Sequence, residues 1–138
     1  KLAAKEPAWI SLPMIDHVTI YVSNLERSKR FYEAAFVPLG HKISFGEEGV
    51  FWAFDIGKAC LFEIAQFRGH SPLTNTHIAF RVKDAGKVQE FYKAAMEAGG
   101  KDNGPPGPRP KYTENYYACF VLDPDGHNIE AMFDVWPE

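Results

Sequence analysis

Four side chains in this sequence form a candidate set for holding a metal ion: His17, Glu63, His77 and Glu130. Imidazole nitrogen combined with carboxylate oxygen suits one divalent ion of the zinc, nickel, cobalt, iron(II) or manganese type. Two histidines and one carboxylate make the facial set of non-haem iron oxygenases, with open positions for substrate and oxygen. A second carboxylate shifts the set towards Lewis-acid chemistry, with water in the remaining positions. Taken singly, a strand histidine is more often a polar residue with a backbone partner, and a strand glutamate more often faces solvent. An internal repeat changes that weighing. At an offset of sixty residues Asp16-His17-Val18-Thr19-Ile20-Tyr21-Val22 falls on Thr76-His77-Ile78-Ala79-Phe80-Arg81-Val82. The register continues through Asn24/Asp84, Phe31/Phe91, Tyr32/Tyr92 and Gly40/Gly100. Leu61-Phe62-Glu63-Ile64 falls on Asn128-Ile129-Glu130-Ala131 at an offset of sixty-seven, so histidine meets histidine and glutamate meets glutamate. Packed about a pseudo-twofold axis, the two halves bring the four side chains towards one cup.

The elements that must position them follow from periodicity. Residues 17–22 alternate, with His17, Thr19 and Tyr21 on one face and Val18, Ile20 and Val22 on the other, the pattern of a half-buried strand. Ser23 with Glu26 three residues on reads as a capping box, and Ser28, Phe31, Tyr32, Ala35 and Phe36 make one helical face. Val37-Pro38-Leu39-Gly40 ends that helix. Apolar runs around 42–46, 50–56 and 59–67 read as strands. The second module repeats the plan: a strand over 76–82, Asp84 as N-cap, a helical face from Ala85 to Met96 stopped by Gly99-Gly100, and strands over 116–122 and 128–135 joined by Asp123-Pro124-Asp125-Gly126. The seven extra residues sit in Gly104-Pro105-Pro106-Gly107-Pro108-Arg109-Pro110, read as a loop insertion. The fold class is therefore α+β: two tandem βαβββ modules forming a cupped mixed sheet with helices on the outside. Module one covers 14–67, a linker 68–74, and module two 75–134, within a single domain over 14–138; residues 1–13 read as an N-terminal extension.

Other residues are candidates for the walls of the cup. Tyr21 shares a face with His17, and Arg81 shares one with His77. Arg81 and Arg109 suit an anionic substrate group, and Tyr112, in an aromatic cluster that continues to Tyr117, suits a lid or wall. His41, His70 and His127 lack repeat partners and read as loop or turn residues. Cys60 and Cys119 stand in apolar surroundings without metal or redox spacing and read as free thiols.

The totals narrow the class. At 138 residues, 46% hydrophobic and a formal charge of −3, the chain is one globular domain with no basic footprint for nucleic acid. No apolar run is long enough for a membrane helix. The cytoplasm is the default address when no targeting signal is read.

Asp16-His17-Val18 followed by Ser23-Asn24-Leu25-Glu26-Arg27-Ser28 and Phe31-Tyr32, then His77-Ile78-Ala79-Phe80, then Leu122-Asp123-Pro124-Asp125-Gly126-His127-Asn128-Ile129-Glu130, resemble the vicinal oxygen chelate superfamily over about residues 14–134. That superfamily includes glyoxalase I, extradiol dioxygenases, and fosfomycin- and bleomycin-resistance proteins. The resemblance implies a divalent metal held by His17, His77 and Glu130, with Glu63 in the fourth slot that glyoxalase I uses. It implies a lyase or isomerase acting on a small oxygenated substrate through a metal-stabilised enediolate, with Glu130 or Glu63 moving a proton between adjacent carbons. The alternatives it leaves are an iron(II) extradiol-type dioxygenase, which needs only three of the four ligands, and a non-enzymatic small-molecule-binding or resistance protein. Members often form homodimers, either building each cup within one chain or swapping modules between two. The Pro/Gly stretch from Gly104 is closer to a less characterised branch than to glyoxalase I itself.

Overall fold

The computed structural model describes residues 15–135; the N-terminal extension read over residues 1–13 lies outside them. Module one runs β1 (His17–Val22), α1 (Leu25–Ala35), β2 (Lys42–Glu47), β3 (Phe51–Asp55) and β4 (Leu61–Gln66). Module two runs β5 (His77–Arg81), α2 (Ala85–Glu97), β6 (Lys101–Pro108), β7 (Tyr117–Leu122) and β8 (Asn128–Phe133). Each module is a four-stranded mixed sheet, ordered β1-β4-β3-β2 and β5-β8-β7-β6. In both, the first strand pairs parallel with the last, which requires the crossover that the intervening helix supplies. Thr19 lies opposite Glu63 on β4 and Ala79 lies opposite Glu130 on β8, so the sequence repeat is also a repeat of register.

Alternation sets which face is buried. Ile20, Val22 and Phe80 are buried, whereas His17, Thr19, Tyr21, His77, Ala79 and Arg81 are exposed. The buried faces of both sheets and the apolar faces of both helices share one core, in which Phe36, Phe54 and Phe62 of module one meet Phe80, Val88, Phe91 and Val121 of module two. Phe36 and Phe62 have their ring centroids 5.3 and 5.4 Å from that of Phe80. The faces that carry the candidate ligands are the ones left over.

Two local expectations are corrected. The N-cap of α1 is Asn24, not Ser23: the Asn24 side chain accepts from the Arg27 N–H at 3.0 Å. Ser23 instead turns across the module boundary, its N–H donating to Asp125 at 3.0 Å and its hydroxyl donating to the same carboxylate. The Pro/Gly stretch is not a loop insertion but most of β6, the outer strand of the second sheet. Prolines are tolerated there because an edge strand need not donate along its outer side, and the register with β7 shifts twice along it. At Asp84 the capping expectation holds, its side chain accepting from the Lys87 N–H at 2.9 Å. Cys119 is buried and Cys60 half-buried, both as free thiols.

Candidate functional site

The structure brings the four candidate ligands together as two pairs. His77 and Glu130 sit two registers apart on neighbouring parallel strands, with His77 Nε2 3.1 Å from Glu130 Oε1. In module one the same spacing places His17 near Glu63, whose Oε1 accepts from the Thr19 hydroxyl at 2.9 Å. Among the described residues no three His, Cys, Asp or Glu side chains gather within one chain, so the two pairs remain separate half-sites.

Each histidine is oriented in the same way. His17 Nδ1 lies 2.8 Å from Asp16 Oδ1, and His77 Nδ1 lies 2.9 Å from the Asn128 carbonyl. Both partners are acceptors, so Nδ1 carries the proton in each ring and Nε2 is left as the basic nitrogen. Such an acceptor on the far nitrogen is how metal-binding histidines are held. At His77 the consequence is sharper. A neutral ring would point the Nε2 lone pair at Glu130 Oε1, a repulsive contact unless a proton or a cation sits between them. The donor set and its orientation fit a divalent ion.

Glu130 is nearly buried, and its second oxygen accepts a short hydrogen bond from the Tyr116 hydroxyl. Burial and the neighbouring carboxylate push the Tyr116 phenol well above its ordinary value, so it stays a donor. Tyr116→Phe should lower the stability of the metal-free chain by about 1–2 kcal/mol, because a partly exposed bond to a carboxylate is lost; urea denaturation measures it. The His77 ring stacks at 6.2 Å on Phe120. Sequence marks Tyr116 only as part of the aromatic cluster read as a lid or wall and does not mark Phe120; neither has a repeat partner of its own type, and Phe120 reaches the site as the cross-strand neighbour of Glu130.

The His17 pKa is raised, first by its hydrogen bond to Asp16 and then by the charge of Glu63. Removing the larger cause should bring it down: an NMR titration of Asp16→Asn is expected to give a lower His17 pKa than the wild type. An unchanged value would assign the shift to Glu63.

The remaining wall candidates fall in different places. Tyr21 is exposed on the face of β1 that carries His17 and meets Phe67 edge-on. Arg81 lies on the His77 face and donates to the Asp134 carbonyl at 3.3 Å. Arg109 is braced within its own segment, donating to the carbonyls of Pro105 and Pro108 at 2.7 and 3.3 Å, with its guanidinium over Phe120. Tyr112 is exposed and packs edge-on against Tyr116 at 5.1 Å. His127, read from sequence as a turn residue, does lie between β7 and β8 but is fully buried.

Residues 14–131 match the family model described as the glyoxalase/bleomycin resistance protein/dioxygenase superfamily. The chain belongs to that superfamily. Among its members, the metallothiol transferase FosB of Shouchella clausii (strain KSM-K16) is 32% identical over 126 residues, covering 85% of this chain and 77% of that protein. A glyoxalase/bleomycin resistance protein from Albidiferax ferrireducens T118 superposes with a TM-score of 0.76 at 27% identity, over 89% of this chain and all of the other. A glyoxalase-related enzyme from Fulvimarina pelagi gives 0.72 at 23% identity over 91% and 92% of the two chains, a likeness of fold. Superfamily membership accounts for the paired modules and their parallel first and last strands. Among the described residues no helix is long and apolar enough to cross a membrane.

Proposed function

We propose that this chain is a divalent-metal-dependent enzyme of glyoxalase type, whose centre takes His17 and Glu63 from one chain and His77 and Glu130 from a second copy. The observation that carries the reading is the matched orientation of the two histidines, each with Nδ1 on an acceptor and Nε2 left as the basic nitrogen, in His77 facing Glu130. The second copy follows from the separation of the half-sites within one chain and from the exposure of both ligand-bearing faces.

When bound, the ion supplies Lewis-acid stabilisation of negative charge developing on a substrate oxygen. The chain's own residues divide the remaining work. Glu130 has one oxygen on Tyr116 and the other towards His77, an orientation that supports its role as a ligand. Glu63 is half-buried and held from one side by Thr19, so it is the carboxylate better placed to take a proton from one substrate carbon and return it to the next. Tyr21 and Tyr112 offer exposed aromatic surface to a small oxygenated substrate, and Arg81 offers positive charge for an anionic group on it.

The similarity to a metallothiol transferase favours a second reading, addition of a thiol to the same kind of substrate on the same ligands. Proton exchange separates the two: the wild type should exchange a substrate C–H proton with solvent under the first reading, and under the second should consume an added thiol without such exchange.

The site itself is tested by complementation. Elemental mass spectrometry should find near-stoichiometric divalent metal in the wild type, and little in His17→Ala or Glu130→Ala alone. Mixing the two variants under conditions of subunit exchange should restore metal binding, because the mixed dimer holds one centre with all its ligands. Iron that survives Glu63→Ala, with oxygen uptake, would favour a dioxygenase. No metal after reconstitution would leave a binding protein.

A further inference from the structure

His127 lies outside the half-sites and hydrogen-bonds to both modules through its ring. It is fully buried, and its ring lies between two backbone groups from different modules. Nδ1 is 2.9 Å from the N–H of Thr76, the residue before His77. Nε2 is 2.8 Å from the carbonyl of Tyr21, on β1 four residues beyond His17. The first partner donates and the second accepts, so the ring is the neutral Nε2–H tautomer; no other protonation state satisfies both bonds. The turn that presents the ring is fastened independently. The His127 N–H donates to Asp123 Oδ1 at 2.9 Å, the Tyr32 hydroxyl donates to Asp123 Oδ2 at 2.6 Å, and Asp125 holds Ser23 and Arg27. Immediately after His127 begins β8, which carries Glu130.

We propose that His127 is a positioning residue: through one buried imidazole it fixes β1, with His17 and Glu63's partner Thr19, relative to β5 and β8, with His77 and Glu130. This rests on the metal-centre reading above. In an assembly that joins one chain's first half-site to another chain's second, the spacing of half-sites within each chain decides whether the ligands of two copies meet at ion-binding distances. Apolar contacts between the modules resist separation but permit sliding; a pair of directional hydrogen bonds sets the register. Other hydrogen bonds across the boundary, from Ser23, Arg27 and Tyr32, end on side chains of the same 123–127 turn; the His127 ring makes the contact that ends on β1, and its second bond, within module two, holds Thr76 beside His77.

Two substitutions separate this role from simple core filling. In H127N the shorter side chain keeps an acceptor near Thr76 but does not reach Tyr21; in H127Q a longer amide offers both a donor and an acceptor. With Co(II) added to the full-length apoprotein, H127N should bind at least about tenfold more weakly than the wild type, the scale of losing an outer-shell support, with altered visible absorption bands. H127Q should recover most of both. In the wild type, long-range 15N NMR should show the His127 proton on Nε2. Folded H127N with the wild-type Co(II) affinity and spectrum, and only a lower melting temperature, would overturn the proposal, as would a proton on Nδ1. If the wild type itself takes up no Co(II), the metal-centre reading fails first.

Discussion

Glu130→Gln should weaken divalent-metal binding by at least about 100-fold while leaving the fold intact. Support of a ligand from the outer shell alone is worth roughly 10- to 100-fold, and loss of a direct charged ligand lies at or beyond the upper end of that range. Glutamine has the size of glutamate, and its carbonyl can still accept from the Tyr116 hydroxyl. Its amide can donate to His77 Nε2 in place of the unfavourable lone-pair contact across 3.1 Å. The variant therefore trades a site poised for a cation for one satisfied without it. Isothermal titration with Co(II) or Zn(II), read beside the melting temperature of the apoprotein, distinguishes the outcomes. Unchanged affinity would remove Glu130 from the ligand set. Loss of affinity together with a large fall in melting temperature would mean that the carboxylate holds the fold rather than the ion.

The candidate set was legible because it is written twice. His17 and His77 stand at matching positions of two strands that alternate, and Glu63 and Glu130 at matching positions of two strands that pair with them in parallel. Nothing comparable advertises Tyr116, Phe120 or His127. Tyr116 reaches Glu130 from a turn that follows an edge strand, and His127 satisfies a carbonyl more than a hundred residues away in sequence. The first depends on the path of the segment before β7 and the second on how the modules pack, and periodicity encodes neither. The Pro/Gly run shows the opposite failure. Its composition reads as a loop because proline and glycine are poor strand residues, yet on an outer strand with two register shifts the missing N–H groups cost little. At α1, Ser23 and Asn24 are both good caps. The choice falls to Asn24 because Asp125 from the other module claims the serine.

Phe36→Ala should cost about 3–5 kcal/mol of stability, the range for a large aromatic side chain removed from a packed core. Phe36 closes α1 and is fully buried, with ring centroids of Tyr32, His41, Phe54, Phe62 and Phe80 all 5.2–5.6 Å away. Most of these contacts are edge-on, the favoured geometry for aromatic pairs, so the loss exceeds that of buried area alone. Phe80 is what makes the position more than local: it belongs to β5, so Phe36 is a point where the cores of the two modules become one. Equilibrium urea denaturation of Phe36→Ala, with Val37→Ala as the neighbouring exposed control, measures the difference; the control should lie within about 0.5 kcal/mol of wild type. A cost below about 1.5 kcal/mol would mean that the core collapses around the missing ring and that the modules are held together elsewhere. Phe36→Leu sharpens the contrast with Glu130. It keeps much of the buried volume and touches none of the candidate ligands, so it should lower stability while leaving metal affinity near wild type. Glu130→Gln should do the reverse. Together the two variants separate the force that joins the modules from the chemistry that their joining places on the opposite face.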